Sequence, residues 1–258
     1  MVLGMRRVLV TGMSGLIGTA VRRRLEGRWA LRALNRRAIE GMETHQADIG
    51  DLEAIAPAFR DVDAVVHLAA NVASAEGAPG WAAILRDNVV GTYNVFEAAR
   101  RASVKRVIYA SSGATVSRIE TDPPYAALAA GRYDEVAEWP VLTHESPTRP
   151  NGLYGCSKVW GEALARHFAD TTPMSMVCLR IGHVSEGDRP VKPREFSVWC
   201  SRRDIAQAIE RALAAPDSLR FDVFFITSDN KWGYRDIEHA RAVLGYVPED
   251  RAEDYRSP

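Results

Sequence analysis

Val8-Leu9-Val10-Thr11-Gly12-Met13-Ser14-Gly15-Leu16-Ile17-Gly18 runs from a short apolar segment into three glycines spaced three residues apart. The residues behind it, 16–25, carry the apolar periodicity of a helix. A strand, a glycine turn and a helix in that order give each glycine a task. Gly12 allows the tight turn, Gly15 lets the backbone approach a pyrophosphate, and Gly18 lets helix and strand pack closely. Ser14, Gly15, Leu16 and Ile17 then stand at a helix N-terminus, whose free N–H groups face an anion. A glycine-rich turn without a ligand is the alternative; the strand–turn–helix context argues for a bound dinucleotide.

Outward from this turn the pattern repeats. Runs rich in Val, Ile and Leu at 8–10, 31–34, 64–68 and 107–110 read as buried strands, and 16–25, 52–59 and 88–101 read as helices between them. The alternation predicts an α/β fold, a doubly wound parallel Rossmann sheet with helices on both faces. Later strands are expected at 176–181 and 221–227, with a helix at 201–215 opened by a capping-box-like Ser201-Arg202-Arg203-Asp204. The segment 117–150, rich in prolines and acids with a short helix at 125–130, reads as an excursion from the sheet. The expected division is a dinucleotide-binding domain over 1–182, including this excursion, and a small C-terminal substrate-binding part over 183–258 with a charged surface tail beyond Val247.

Composition excludes several classes. The chain has 258 residues, 47% hydrophobic and 26% charged, so it is neither disordered nor collagen-like. Its 33 basic and 33 acidic residues cancel, leaving no excess charge to draw nucleic acid or an anionic membrane. No apolar run approaches the roughly 18 residues a membrane span needs. The first residues, with Arg6 and Arg7 inside what would be the apolar stretch, do not read as a signal peptide. Cys156, Cys178 and Cys200 are odd in number and widely spaced, which fits a reducing cytoplasm.

The end of the second strand selects the cofactor. An acid there would bind the 2′-hydroxyl of NAD; this chain has Asn35-Arg36-Arg37, suited to a 2′-phosphate. NADP(H) is therefore favoured, with NAD(H) the alternative. Asp48-Ile49 is expected beside the adenine, and Leu68-Ala69-Ala70 at the end of the fourth strand against the cofactor. His67 reads as structural. Asn88 is expected to open a helix and cap it.

Tyr154-Gly155-Cys156-Ser157-Lys158 puts a phenol and an ammonium on one helical face. A nearby cation favours the phenolate, so Tyr154 can exchange a proton with a substrate alcohol. With only Lys105, Lys158, Lys192 and Lys231 in the chain, this spacing is a strong signal. Cys156 reads as packing rather than a nucleophile, and no His/Cys/Asp/Glu cluster has metal spacing, so no metal is expected.

Gly12-x-x-Gly15-x-x-Gly18, the strand ending Ala110-Ser111-Ser112 and Tyr154-x-x-x-Lys158 resemble the extended short-chain dehydrogenase/reductase family, also named NAD-dependent epimerase/dehydratase, over nearly the whole chain. The resemblance implies Tyr154 as acid/base, Lys158 lowering its pKa and holding the nicotinamide ribose, Ser112 hydrogen-bonding the reacting oxygen, and Asn88 supporting the lysine. It places Ala110 and Ile181 along the cofactor and implies a homodimer through a four-helix bundle of 88–101 and 154–169. Within the family the likeness is to uronate dehydrogenases, carried by 149–158, Leu179-Arg180-Ile181-Gly182, Arg194-x-x-Ser197-x-Trp199 and Leu244-Gly245-Tyr246-x-Pro248. That implies a sugar or sugar-acid substrate met by Ser111, Ser112, Gly113, His183 and Arg194. The chain departs from it at four places: Gly113-Ala114 replace Asn-His, His183 replaces a serine, Asn35-Arg36 replace the acidic NAD selector, and the excursion 117–150 is longer. The reaction expected is hydride transfer between a nicotinamide and a sugar or sugar-acid hydroxyl or carbonyl. A nucleotide-sugar epimerase with recycled cofactor is the alternative. A non-catalytic binding protein is disfavoured because Tyr154 and Lys158 are both present.

Overall fold

A computed structural model describes residues 5–72 and 78–256. Residues 1–4, where the N-terminal stretch read for a leader begins, lie outside the described residues. Seven strands form one parallel sheet in the order β3-β2-β1-β4-β5-β6-β7. They are β1 (Arg7–Thr11), β2 (Ala30–Asn35), β3 (Thr44–Gln46), β4 (Ala64–His67), β5 (Arg106–Ser112), β6 (Ser175–Ile181) and β7 (Phe221–Ile226). The central strands read as continuous apolar runs because both faces are covered: β6 is buried at every position and β4 likewise.

One face packs under α1 (Leu16–Leu25), α8 (Arg202–Ala214) and α9 (Glu238–Leu244), with Val10, Val66, Ile108, Leu179 and Phe224 beneath them. The other packs under α2 (Leu52–Ile55), α4 (Gly91–Arg101) and α6 (Leu153–Thr171), over Leu9, Val65, Val107 and Met176. Asp51 and Ser201 cap α2 and α8, each accepting from a backbone N–H three residues on.

The helix expected to start at Asn88 starts earlier. α3 (Ala78–Ile84) runs through a wide turn, Leu85–Val90, directly into α4. Asn88 is thus interior and buried rather than a cap, which corrects that expectation. The expected split at residue 182 also cuts through the sheet, because β7 pairs with β6 and α8 packs on α1. What stands apart is a third core. Val116, Tyr125, Leu128 and Leu142 of the excursion, including α5 (Tyr125–Ala129), pack with Val198 of α7 (Glu195–Val198) and with Phe225, Trp232 and Tyr234. The excursion and the C-terminal segments close over the carboxyl end of the sheet as one unit. No helix among the described residues is long and apolar enough to cross a membrane.

Candidate active site

At the point where the strand order reverses, between β1 and β4, two cavities open along the carboxyl edge of the sheet and share Gly12, Gly15, Leu68 and Ala70. The first glycine has φ +72°, and a Cβ there would lie 2.8 Å from the Ala69 nitrogen. A Cβ on Gly18 would run into the Gly12 and Met13 carbonyls, 2.6 and 2.5 Å away. These close approaches are what a side chain forbids, and they leave the first N–H groups of α1 with no side-chain cap. The cradle fits a pyrophosphate.

The outer cavity, about 630 Å³, is walled by Ser14, Asn35, Arg36, Arg37, Asp48, Ile49 and Ala69. Asn35 Nδ2 donates to Ser14 Oγ at 3.2 Å and to the Arg37 carbonyl at 3.1 Å, shaping the rim. Arg36 and Arg37 are exposed. Asp48 Oδ1 accepts from Gly50 N at 2.9 Å, so one carboxylate oxygen holds its own turn. Under the floor, His67 Nδ1 meets Thr11 Oγ1 at 2.8 Å and Nε2 meets Thr92 Oγ1 at 3.1 Å. Burial first, then the charge of Lys158, pull its pKa down to about 3. The sequence reads this histidine as structural, and its two hydroxyl partners hold it under the floor.

The inner cavity, about 510 Å³, holds the chemistry; Leu16, Ile17, Ala110, Ser112, Tyr154, Lys158 and Ile181 all line it. Lys158, buried, donates from Nζ to the Ala110 carbonyl at 2.7 Å and sits 5.6 Å from the Tyr154 ring centroid. Desolvation pulls its pKa down to about 8, against the pull of Glu162. Burial raises the Tyr154 phenol, and its hydrogen bond with Ser112 draws it back. Asn88 braces the helix start: Nδ2 donates to Ser157 Oγ at 3.1 Å, and Ser157 Oγ donates to the Tyr154 carbonyl at 2.7 Å. Asn88 also exchanges two bonds with the Asn71 backbone, 2.7 and 2.9 Å, tying this helix to the loop after β4.

Ser111 also lines the inner cavity, but its hydroxyl is engaged elsewhere. It donates to Glu162 Oε1 at 2.5 Å on the opposite side of the strand, where Arg180 grips the same carboxylate at 2.9 and 2.8 Å. Successive strand residues face opposite ways, so Ser112 and Ser111 divide the work.

The substrate end joins His183, Arg194 and Gly113. Arg194 is bound to Glu120 through Nε and, at 2.9 Å, through Nη2. Arg235, which sequence reading missed, lies flat against Gly113, donating from Nη2 to its carbonyl and to Glu120 Oε1, both at 3.3 Å. Any Cβ on Gly113 would occupy the Arg235 guanidinium. The glycine that replaces an asparagine was the sequence signal; what fills its volume was not visible there.

A family profile described as the NAD dependent epimerase/dehydratase family matches residues 8–220. The chain belongs to that family. Among its relatives is the NAD-dependent glucose-6-phosphate dehydrogenase of Haloferax volcanii, 32% identical over 96% of this chain and 95% of that protein. The L-arabinose 1-dehydrogenase (NAD(P)(+)) of the same organism is 32% identical over 96% and 98%. A mutant uronate dehydrogenase from Agrobacterium tumefaciens, complexed with NAD, superposes with TM-score 0.79 at 30% identity over 98% of this chain and 88% of that one. The epimerase/dehydratase fold accounts for the glycine cradle and the Tyr154–Lys158 spacing. The Arg194–Glu120–Arg235 cluster joins the excursion to the C-terminal segments.

Proposed function

We propose that this protein is an NAD(P)-dependent dehydrogenase that oxidises the anomeric hydroxyl of a sugar or sugar acid. The observation that carries the reading is the placement of Ser112, Tyr154 and Lys158 at the inner end of the cofactor trough, against a small arginine-lined cavity of about 510 Å³. That volume suits one sugar ring beside a nicotinamide and leaves little for the nucleotide diphosphate an epimerase must also hold. The three relatives named above support a sugar substrate by what their names say of them.

A bound nicotinamide supplies the hydride acceptor. The rest falls to the chain. Tyr154 takes the hydroxyl proton, Ser112 holds the same oxygen, and the Lys158 ammonium favours the phenolate. Arg194 and Arg235 orient an acidic substituent on the ring. The direct test is NAD(P)H formation across a panel of aldoses and uronic acids. Tightly retained cofactor released only on denaturation, with no net reduction for any sugar, would point to an epimerase instead.

NADP(H) over NAD(H) is the finer reading, supported by Arg36 and Arg37, exposed at the outer cavity and without an ion-pair partner among the described residues. The double variant Arg36→Ala/Arg37→Ala is expected to lose at least about tenfold in kcat/KM with NADP and little with NAD, since a charge-assisted pair to a phosphate contributes roughly 1.5–3 kcal/mol. Wild-type kcat/KM much higher with NAD would reject it.

A homodimer through α4 and α6 is the proposed assembly. Trp81, Leu85 and Tyr93 are exposed at helical spacing, at 42, 40 and 44%, on the helical run that packs against α6. Tyr93→Asp is expected to shift the protein to monomer in sedimentation; a wild-type monomer at working concentration would end this reading. Placement in the cytoplasm is likewise proposed, supported by three free cysteines.

A further inference from the structure

A second candidate acid/base group, His183, lines the substrate cavity apart from Tyr154, backed by the buried Glu195. His183 lies just past the end of β6 and lines the inner cavity. Its backbone is fixed on both sides: N donates to the Val198 carbonyl at 2.7 Å, and its carbonyl accepts from Cys200 N at 2.9 Å. Its ring Nε2 stands 3.2 Å from Glu195 Oε1. Glu195 is itself held, because Oε2 accepts from the Val191 and Lys192 N–H groups at 2.6 and 3.1 Å. A carboxylate facing Nε2 keeps the proton on that nitrogen and leaves the lone pair on Nδ1. Among the described residues Nδ1 has no partner, and the side chain is 36% exposed. A fixed carboxylate, an oriented imidazole and a free lone pair in a substrate cavity make a general base.

Tyr154 does not fill this role in the same step, because after taking the substrate proton its hydroxyl is a donor and faces the carbonyl oxygen rather than the water. Burial lowers the His183 pKa, helped by Arg194, Lys192 and Arg235 and opposed by Glu195, which favours the neutral ring.

We propose that the His183–Glu195 pair hydrolyses the lactone formed when a cyclic sugar is oxidised at its anomeric carbon, giving the chain a second activity in the same cavity. This rests on the dehydrogenase reading above for the identity of the lactone. In the step, His183 Nδ1 takes a proton from water as the water oxygen bonds to the lactone carbonyl carbon. Tyr154 and Ser112 hydroxyls donate to the carbonyl oxygen as charge builds on it. The bond from that carbon to the ring oxygen then breaks, and the proton on His183 passes to the departing oxygen. Lactone and water become a hydroxy acid, which ionises. Nothing is oxidised or reduced, so no cofactor is consumed.

The test uses the full-length protein, without cofactor, and D-glucono-1,5-lactone as the probe, with acid release followed at a mildly acidic pH where uncatalysed opening is slow. Wild type is expected to open the lactone well above the uncatalysed rate. His183→Gln and Glu195→Gln should each lose at least about tenfold of that acceleration, the scale of a positioned general base. Tyr154→Phe loses one of the two hydroxyls on the carbonyl oxygen and is expected to slow lactone opening along with sugar oxidation; a loss of lactone opening in His183→Gln and Glu195→Gln beyond any loss of sugar oxidation is the readout a merely structural role would not give. A wild-type rate equal to the uncatalysed one, or folded His183→Gln and Glu195→Gln proteins as fast as wild type, overturns the proposal. Failure of every sugar to reduce NAD(P) would instead overturn the dehydrogenase reading, since the lactone assay contains no cofactor.

Discussion

Replacing Tyr154 by Phe is expected to lower kcat for sugar oxidation by about a thousandfold, within the range for loss of a positioned acid/base group. The fold should be unaffected, because only the hydroxyl goes and the ring keeps its place above Lys158. KM should move by a few fold at most, since Ser112, Arg194 and Arg235 still line the cavity. The pH profile gives a second reading. Burial raises the phenol above its ordinary value, so in the wild type the oxidation rate should climb with pH as phenolate becomes accessible. Lys158 works against this above about 8, where it sheds its own charge. The climb should therefore flatten there. Initial rates of wild type and Tyr154→Phe from mildly acidic to alkaline pH decide it: a variant retaining a tenth of wild-type kcat would remove Tyr154 from the proton transfer.

The largest stability effect is expected beneath the catalytic strand. Arg180 and Glu162 are almost wholly buried, with side-chain exposures of 4 and 8%, and share two hydrogen bonds. Ser111 adds a third bond to the same carboxylate. Arg180→Met leaves that carboxylate in the interior without its counter-charge and should cost about 3–5 kcal/mol. The double variant Arg180→Met/Glu162→Met should recover much of the loss, because removing both charges also removes the desolvation cost. Urea unfolding of the two single variants and the double one makes the comparison. Additive losses would mean that the pair does not act as a pair. Ser111 loses its partner only where Glu162 is replaced, so kcat should fall in Glu162→Met, through a loosened end of β5, even at temperatures where the protein remains folded.

Much of this protein was legible in the sequence because the physics there is local. A glycine turn needs residues within a single strand–turn–helix unit, and the apolar runs at 8–10, 64–68, 107–110 and 176–181 reappear as strands, to within two residues at each end, because each is buried on both faces. Tyr154 and Lys158 share a helical face through spacing alone. The nearest misreading came from the same locality: Asn88 looked like a helix start, yet the helix had begun ten residues earlier, and its amide reaches Ser157 across to another helix.

Tertiary structure decided everything that depends on distant segments arriving together. Glu120 meets Arg194 from 74 residues away and Arg235 from 115. Gly113 reads as an empty position until Arg235, carried by a loop after the last strand, is seen to fill it. The resemblance set Ser112 apart from Ser111, but not their partners: the strand's pleat sends one hydroxyl to a buried carboxylate and the other beside Tyr154. His183 and Glu195 are only a dozen residues apart, but the loop between them and α7 had to fold before a carboxylate could face an imidazole. Backbone propensity and hydrophobic period act within a segment and so are written in its letters. Charge pairing in a cavity is set by which segments the sheet and the third core bring to one edge, and no single segment records that.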